Sequence, residues 1–169
     1  MEQLELDHIA SQLKSILAQL HSVESSKVLG SVSEGALIAM SFPHRMWPQN
    51  TPSQVSRSLP RDVGAILHGT VHTTESLLPR IPRNAAIKFT HGDLLPKNNI
   101  VEGSRITGIL DWATGGCYPA YWEYCRMRDP YFMTAGWKLV LQEVFLGEPR
   151  EREISAVCEL LHAVANTLA

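Results

Sequence analysis

The sequence predicts an α+β fold that is mainly helical and contains one small β-hairpin. Near both ends of the chain, apolar residues recur at intervals of three and four, which is the spacing of an amphipathic helix. In the middle, residues 87–110 change to short strand-like runs with a Gly-Ser turn. Of the 169 residues, 44% are hydrophobic and 19% are charged, so we expect a single domain over residues 1–169 with one buried core.

The first predicted element is an amphipathic helix of about five turns. Gln12, Ser15 and Gln19 fill its polar side, and its apolar stripe consists of Leu6, Ile9, Leu13, Ile16, Leu17 and Leu20. Residues 23–60 lose this periodicity and contain four prolines, which predicts an irregular excursion over the surface. A second helix is predicted over residues 63–78, ending before Pro79.

The middle of the chain is predicted to form strands, and its end is predicted to form helices. Residues 87–90 form a predicted strand, and residues 99–102 and 105–110 form a hairpin around a turn at 103–104. The remainder returns to helical spacing at residues 121–128 and 132–145 and in a last helix that carries Ile154, Val157, Leu160, Leu161, Val164 and Leu168.

Composition excludes several classes of protein. The net charge of −2 lacks the basic excess of a nucleic-acid binder. No apolar run approaches the length that crosses a membrane, and the acidic N-terminus does not resemble a signal peptide. The cysteines Cys117, Cys125 and Cys158 are odd in number and lack metal-site spacing, which favours free thiols in a reducing compartment. We therefore expect a cytoplasmic protein.

The main functional signal lies around the hairpin. Asp93 and Asn98 precede its first strand, and Asp111 follows its second strand. Because a hairpin folds back on itself, its entry and its exit lie side by side, so these three side chains are expected to converge. Carboxylate and amide oxygens suit Mg²⁺, which also takes ligands from substrate phosphates. Phosphoryl transfer needs a carboxylate for the attacking hydroxyl and such metal ligands.

The spacing His91-Gly92-Asp93, Asn98 and then Leu110-Asp111-Trp112 resembles the aminoglycoside phosphotransferase/choline kinase family, whose motifs read H-G-D-L-x-P-x-N and I-D-W. Residues 116–124 look like the G-W/Y-Y-P-E-Y-W-E stretch of fungal-type members, with departures at positions 117 and 120. The likeness is most specific over residues 89–124 and weaker upstream, where residues 29–32 look like the family's I-G-S-V segment.

The resemblance implies the helical C-terminal lobe of a protein-kinase-like fold. By this resemblance Asp93 is the catalytic carboxylate, Asn98 and Asp111 bind Mg²⁺, and His91 and Glu123 brace the loop. ATP would be the phosphate donor and a small-molecule hydroxyl compound the acceptor. A protein acceptor is disfavoured, because Leu95 stands where protein kinases usually keep a lysine, and no D-F-G or A-P-E occurs.

The nucleotide lobe of such a kinase is not recognisable in this sequence. None of the lysines at positions 14, 27, 88, 97 and 138 stands where that lobe keeps its lysine. The expectation is therefore a truncated kinase domain that is inactive alone or completed by another lobe or chain. The alternative is a non-catalytic, pseudokinase-like binding or regulatory fragment.

Two further patterns leave other functions open. His68, His72 and His91 form a possible zinc set for a hydrolase, although the pair on the predicted second helix lacks the glutamate of H-E-x-x-H. A group of acidic residues assigned to the last helices would attract a cationic acceptor, or would simply be solvated: Glu143, Glu148, Glu151, Glu153 and Glu159.

Overall fold

A computed structural model describes residues 2–23, 30–31, 77–82 and 85–166. The helices in these ranges are α1 (Gln3–Ser22), α2 (Trp122–Met127), α3 (Ala135–Val144) and α4 (Glu151–Asn166). The strands are β1 (Gly30–Ser31), β2 (Ile87–Thr90), β3 (Asn99–Glu102), β4 (Arg105–Ile109) and β5 (Gly116–Pro119). The architecture is thus a mixture of helices and small antiparallel sheets, in agreement with the predicted class.

Helix α1 forms as predicted. A capping box between Glu2 and Glu5 starts it, and most of its predicted apolar stripe is buried, with Ile16 partly buried. Gln12, on the predicted polar side, contacts another part of the chain. Its Nε2 donates to the carbonyl of Ser104 at 2.7 Å, and its Oε1 accepts from the amide of Ile106 at 3.0 Å. Gln12 therefore fastens α1 to the hairpin, an arrangement that helical periodicity alone cannot reveal.

The predicted hairpin is confirmed as the antiparallel pair β3–β4, with Asn99 opposite Ile109 and a bulge between Ile100 and Val101. A second sheet was not predicted. Strand β5 lies between β1 and β2, antiparallel to both, and Thr90 stands opposite Gly116. Strand β1 falls inside the stretch predicted to be irregular. The end of β2 therefore meets the start of β5. The loop from β2 to β3, called the polar loop below, begins at this point.

Two apolar clusters support this arrangement. The first joins α2 and α4 with Leu77 and Ile81. The second joins α1 and α3, and it includes Leu94 from the polar loop and Met127 from the end of α2. Leu94 and Leu95 are both fully buried, so the loop that follows β2 is rooted in the core.

The helices predicted over residues 121–128 and 132–145 are confirmed with shorter bounds. The last predicted helix is confirmed through Asn166, and Leu168 lies outside the described residues. The helix predicted over 63–78 lies outside the described residues, except for its last residues, where a 3₁₀ turn continues through Pro79 as Leu78–Arg80. The three cysteines are free thiols. No helix in the described ranges is both long and apolar enough to cross a bilayer.

Candidate active site

The loop between β2 and β3 brings Asp93 and Asn98 into direct contact. The Nδ2 group of Asn98 donates to the backbone carbonyl of Asp93 at 2.8 Å and to its carboxylate oxygen Oδ2 at 2.9 Å. Both residues are buried. The loop ends in the 3₁₀ turn Pro96–Asn98, in which the amide of Asn98 donates to Leu95. The two residues thus form one hydrogen-bonded unit at the entry of the hairpin.

Asp111 joins this unit through the backbone beside it. The amide of Leu110 donates to the carbonyl of Asn98 at 2.8 Å, so the exit of the hairpin lies against its entry. Among the described residues, no hydrogen bond or ion pair links the Asp111 carboxylate to Asp93 or Asn98. Asp111 has φ +61°, and it is the one non-glycine residue with positive φ in the described ranges. Such conformations concentrate at functional sites.

His91 holds the entry and the exit of the hairpin together. Its ring is fully buried, with Nε2 3.0 Å from the carbonyl of Leu110 and Nδ1 3.3 Å from the amide of Asp93. A neutral ring that carries its hydrogen on Nε2 donates to the first group and accepts from the second. Burial lowers the pKa of His91, and the Leu110 carbonyl opposes this shift. The neutral ring therefore links the Asp93 backbone to the residue before Asp111.

Glu123 holds the same loop from α2. Its side chain is almost completely buried, and its two oxygens accept from the amides of Gly92 at 2.8 Å and Leu94 at 3.1 Å. Burial raises the pKa of the Glu123 carboxyl, and the amide hydrogen bonds oppose this effect. The amides on either side of Asp93 therefore have a common acceptor, which fixes the backbone that carries the candidate catalytic carboxylate.

Asp93 also has two cationic partners that the sequence did not reveal. The guanidinium of Arg126 lies 2.7 Å from Oδ1, and the ammonium of Lys97 lies 2.9 Å from Oδ2. Arg126 follows Glu123 by one helical turn, so a basic residue on the same face of α2 was the signal available in the sequence. Lys97 stands inside the motif, at a position to which the motif assigns no role.

The chemistry of the donors fits a magnesium ion. Asn98 uses its Nδ2 group on Asp93, so its Oδ1 is the atom that could bind a cation, and Asp111 has a half-buried carboxylate. Two protein oxygens with water and phosphate completing the shell are typical of Mg²⁺. Among the described residues, no cluster of three or more histidine, cysteine, aspartate or glutamate side chains forms a metal site. His68 and His72 lie outside those residues.

Apolar side chains are exposed along the hairpin and its exit. Ile100, Val101, Leu110 and Trp112 each have 38–51% of their surface exposed. Trp112 also packs its ring against His91, with centroids 4.5 Å apart. Exposed apolar side chains near a candidate site are a feature of surfaces that another molecule covers.

The acidic residues named as a possible cation site are partly engaged elsewhere. Glu159 pairs with Arg80 at 2.7 Å, and Glu153 pairs with Arg150 at 2.9 Å. Glu148 lies between α3 and α4, so its assignment to a helix was wrong.

Comparison with known proteins gives one family. Residues 1–164 of the chain match APH, the phosphotransferase enzyme family. No curated protein matches the sequence.

Proposed function

Because this chain belongs to the phosphotransferase enzyme family, we propose that it is the catalytic-loop part of an ATP-dependent small-molecule kinase. The reaction would be transfer of the γ-phosphate of ATP to a hydroxyl group, assisted by Mg²⁺. The observation that carries this proposal is the hydrogen bond between Asp93 and Asn98. The backbone amide of Leu110, the residue before Asp111, donates to the carbonyl of Asn98. A carboxylate beside an amide ligand at a hairpin entry, with a second carboxylate at its exit, is the arrangement that phosphoryl transfer requires.

Asp93 is the proposed proton acceptor. The acceptor hydroxyl oxygen attacks the γ-phosphorus, a new O–P bond forms, and the bond between that phosphorus and the oxygen of ADP breaks. The hydroxyl proton passes to the Asp93 carboxylate. Catalysis of this kind depends mainly on positioning and on electrostatic stabilisation. The buried hydrogen bonds that the loop amides of Gly92 and Asp93 donate to Glu123 and His91 support this positioning.

Asn98 and Asp111 are the proposed ligands of Mg²⁺. The ion, when bound, would neutralise charge on the transferred phosphate. Asp111 has a left-handed backbone conformation just after β4, at the point where the ligand is needed.

The exposed apolar group of Ile100, Leu110 and Trp112 is the proposed contact surface for the donor nucleotide or for the lobe that holds it. None of the five lysines in the printed sequence stands where the nucleotide lobe of such kinases keeps one. We therefore propose that a further segment or another chain completes the nucleotide site, and that this chain has little activity without it.

Calorimetric titration with Mg·ATP, followed by assays of ADP release with a panel of hydroxyl compounds, tests this function when the complementing segment or chain is present. We expect Mg²⁺-dependent binding, loss of that dependence in Asp111→Asn, and loss of transfer but retention of binding in Asp93→Asn. The matched control is Glu102→Gln, which changes an exposed carboxylate of the same hairpin. Transfer that survives Asp93→Asn would exclude the proposed mechanism.

A non-catalytic binding or regulatory role is the second candidate. The observation in its favour is that cationic side chains contact both oxygens of Asp93. An absence of Mg·ATP binding at millimolar nucleotide, with or without a complementing chain, would support this role over the kinase.

A further inference from the structure

Arg126 holds one oxygen of Asp93 from the protein interior. Its Nε lies 2.9 Å from Oδ1 and its terminal nitrogen lies 2.7 Å from the same atom. The Arg126 side chain is only 13% exposed. Two charge-assisted contacts from one planar, largely buried guanidinium fix both the direction and the distance of Oδ1 from Arg126. A single flexible lysine ammonium cannot fix the direction.

Arg126 is itself held on its other sides. Its remaining terminal nitrogen forms an ion pair with Asp129, and the second oxygen of Asp129 accepts from the amide of Tyr131 at 3.0 Å. The guanidinium lies over the ring of Phe132, 5.2 Å from its centroid. The chain of contacts Asp129–Arg126–Asp93 therefore runs from the 3₁₀ turn at Pro130–Phe132 to the candidate catalytic carboxylate.

The second oxygen of Asp93 has different surroundings. Oδ2 accepts from the buried Asn98 at 2.9 Å and contacts the ammonium of Lys97 at 2.9 Å. The Lys97 side chain is 48% exposed, whereas that of Arg126 is 13% exposed. Exposed lysine pairs are weak and readily exchanged with solvent. On the Oδ2 side, Lys97 is thus the partner that gives way most easily.

We infer that Arg126 is a positioning residue that fixes the orientation of Asp93 through Oδ1, and that Lys97 is an exchangeable partner that the acceptor hydroxyl displaces from Oδ2. The inference rests on the proposed function, because it specifies which oxygen of Asp93 receives the proton. The hydroxyl oxygen bonds to the γ-phosphorus, the proton goes to Oδ2, and the Lys97 ammonium moves towards solvent. Oδ1 keeps its contacts with Arg126 throughout.

Three-bond NMR couplings to the Cγ of Asp93 test the orientation without requiring activity. We expect one dominant Asp93 rotamer in the wild type and in Lys97→Gln, and averaging among staggered rotamers in Arg126→Gln. Arg126→Lys keeps the charge but not the fork, so it should fall between the two. The matched control is Arg128→Gln, which removes a buried arginine two residues away that donates to the carbonyl of Leu141.

A single rotamer in Arg126→Gln would overturn the role of Arg126, and averaging in Lys97→Gln would overturn the role of Lys97. If Arg126→Gln does not fold, the same measurement on Arg126→Lys decides the point, because partial averaging is expected there and an unchanged rotamer opposes the inference.

A kinetic measurement connects orientation with catalysis. With Mg·ATP as substrate and water as acceptor, kcat for ADP release should fall about 10- to 100-fold in Arg126→Gln, while KM for Mg·ATP stays unchanged. A purely structural role would change both constants or neither. If the wild type releases no ADP with water or with any hydroxyl compound of the panel, even with a complementing chain, the proposed function fails, whereas the couplings still decide whether Arg126 orients Asp93.

Discussion

Adding a side chain to Gly92, the middle residue of the His-Gly-Asp motif, is expected to destabilise the protein. Its φ is +83°, in the region that L-residues rarely adopt. A Cβ atom built on it would lie 2.7 Å from the backbone carbonyl oxygen of Thr114 and 3.0 Å from the Thr114 side chain. Gly92→Ala therefore combines an unfavourable backbone conformation with a collision.

The collision has no simple relief. Thr114 is buried, and its Oγ1 donates to the carbonyl of His91 at 2.8 Å, so its movement breaks a second contact of the loop. Left-handed backbone costs a non-glycine residue about 1–2 kcal/mol, and overpacking a tight site costs about 1–3 kcal/mol. The free energy of unfolding should therefore fall by about 2–5 kcal/mol, from a total of roughly 5–15 kcal/mol for a domain of this kind.

Gly147→Ala is the matched control. Gly147 has φ +91°, close to that of Gly92, but among the described residues no atom beyond its chain neighbours lies within 4 Å of its Cβ position. Gly147→Ala should therefore show the backbone cost alone, about 1–2 kcal/mol. Urea unfolding of both variants measures the difference, which reports the collision with Thr114. If Gly92→Ala is no less stable than Gly147→Ala, the close approach of the loop to Thr114 is refuted.

Two further predictions concern the residues that hold the loop. Glu123→Ala should leave the buried amides of Gly92 and Leu94 without an acceptor and lower the free energy of unfolding by about 3–5 kcal/mol in urea titrations. As a control, Glu159→Gln, which removes an exposed ion pair, should change the free energy of unfolding by less than about 1 kcal/mol. If the amides of Gly92 and Leu94 keep their hydrogen-exchange protection in Glu123→Ala, Glu123 is not their acceptor. Because burial lowers the pKa of His91 from its ordinary value of 6.5, the unfolded state binds more protons just below pH 6.5, so stability falls as the pH drops through that window. The stability advantage of the wild type over His91→Gln should accordingly shrink by about 1 kcal/mol between pH 7.5 and pH 5.5, and an equal advantage at both pH values would argue against a buried neutral ring.

Local patterns in the sequence predicted the elements that depend on neighbouring residues. Helix α1 follows from its apolar spacing, and the hairpin follows from two short strands around Gly103-Ser104. The family also followed from local signals, because the His-Gly-Asp motif, Asn98 and Leu-Asp-Trp occur in order at fixed distances. These features can be predicted without knowledge of the tertiary structure, because each involves residues within about 20 positions of one another.

Local patterns did not predict the contacts between distant segments. Gln12 bonds residues 104 and 106, and α2 supplies Arg126 to a carboxylate 33 positions earlier. Local spacing places Arg126 on the same face of α2 as Glu123, but it does not show which carboxylate Arg126 contacts, and nothing local marks Gln12 as a contact residue.

The sequence by itself determined which residue types stand at the hairpin: the acid, the amide and the second acid, at a spacing that suits phosphoryl transfer. The tertiary structure decided how those residues are held. The pairing of β5 with β2 brings Thr114 against Gly92, and α2 adds an acceptor for the loop amides and a cation for Asp93. The reason is physical: hydrogen-bonding partners for a buried loop must come from whatever segment packs against it, and packing of distant segments is set by the whole core.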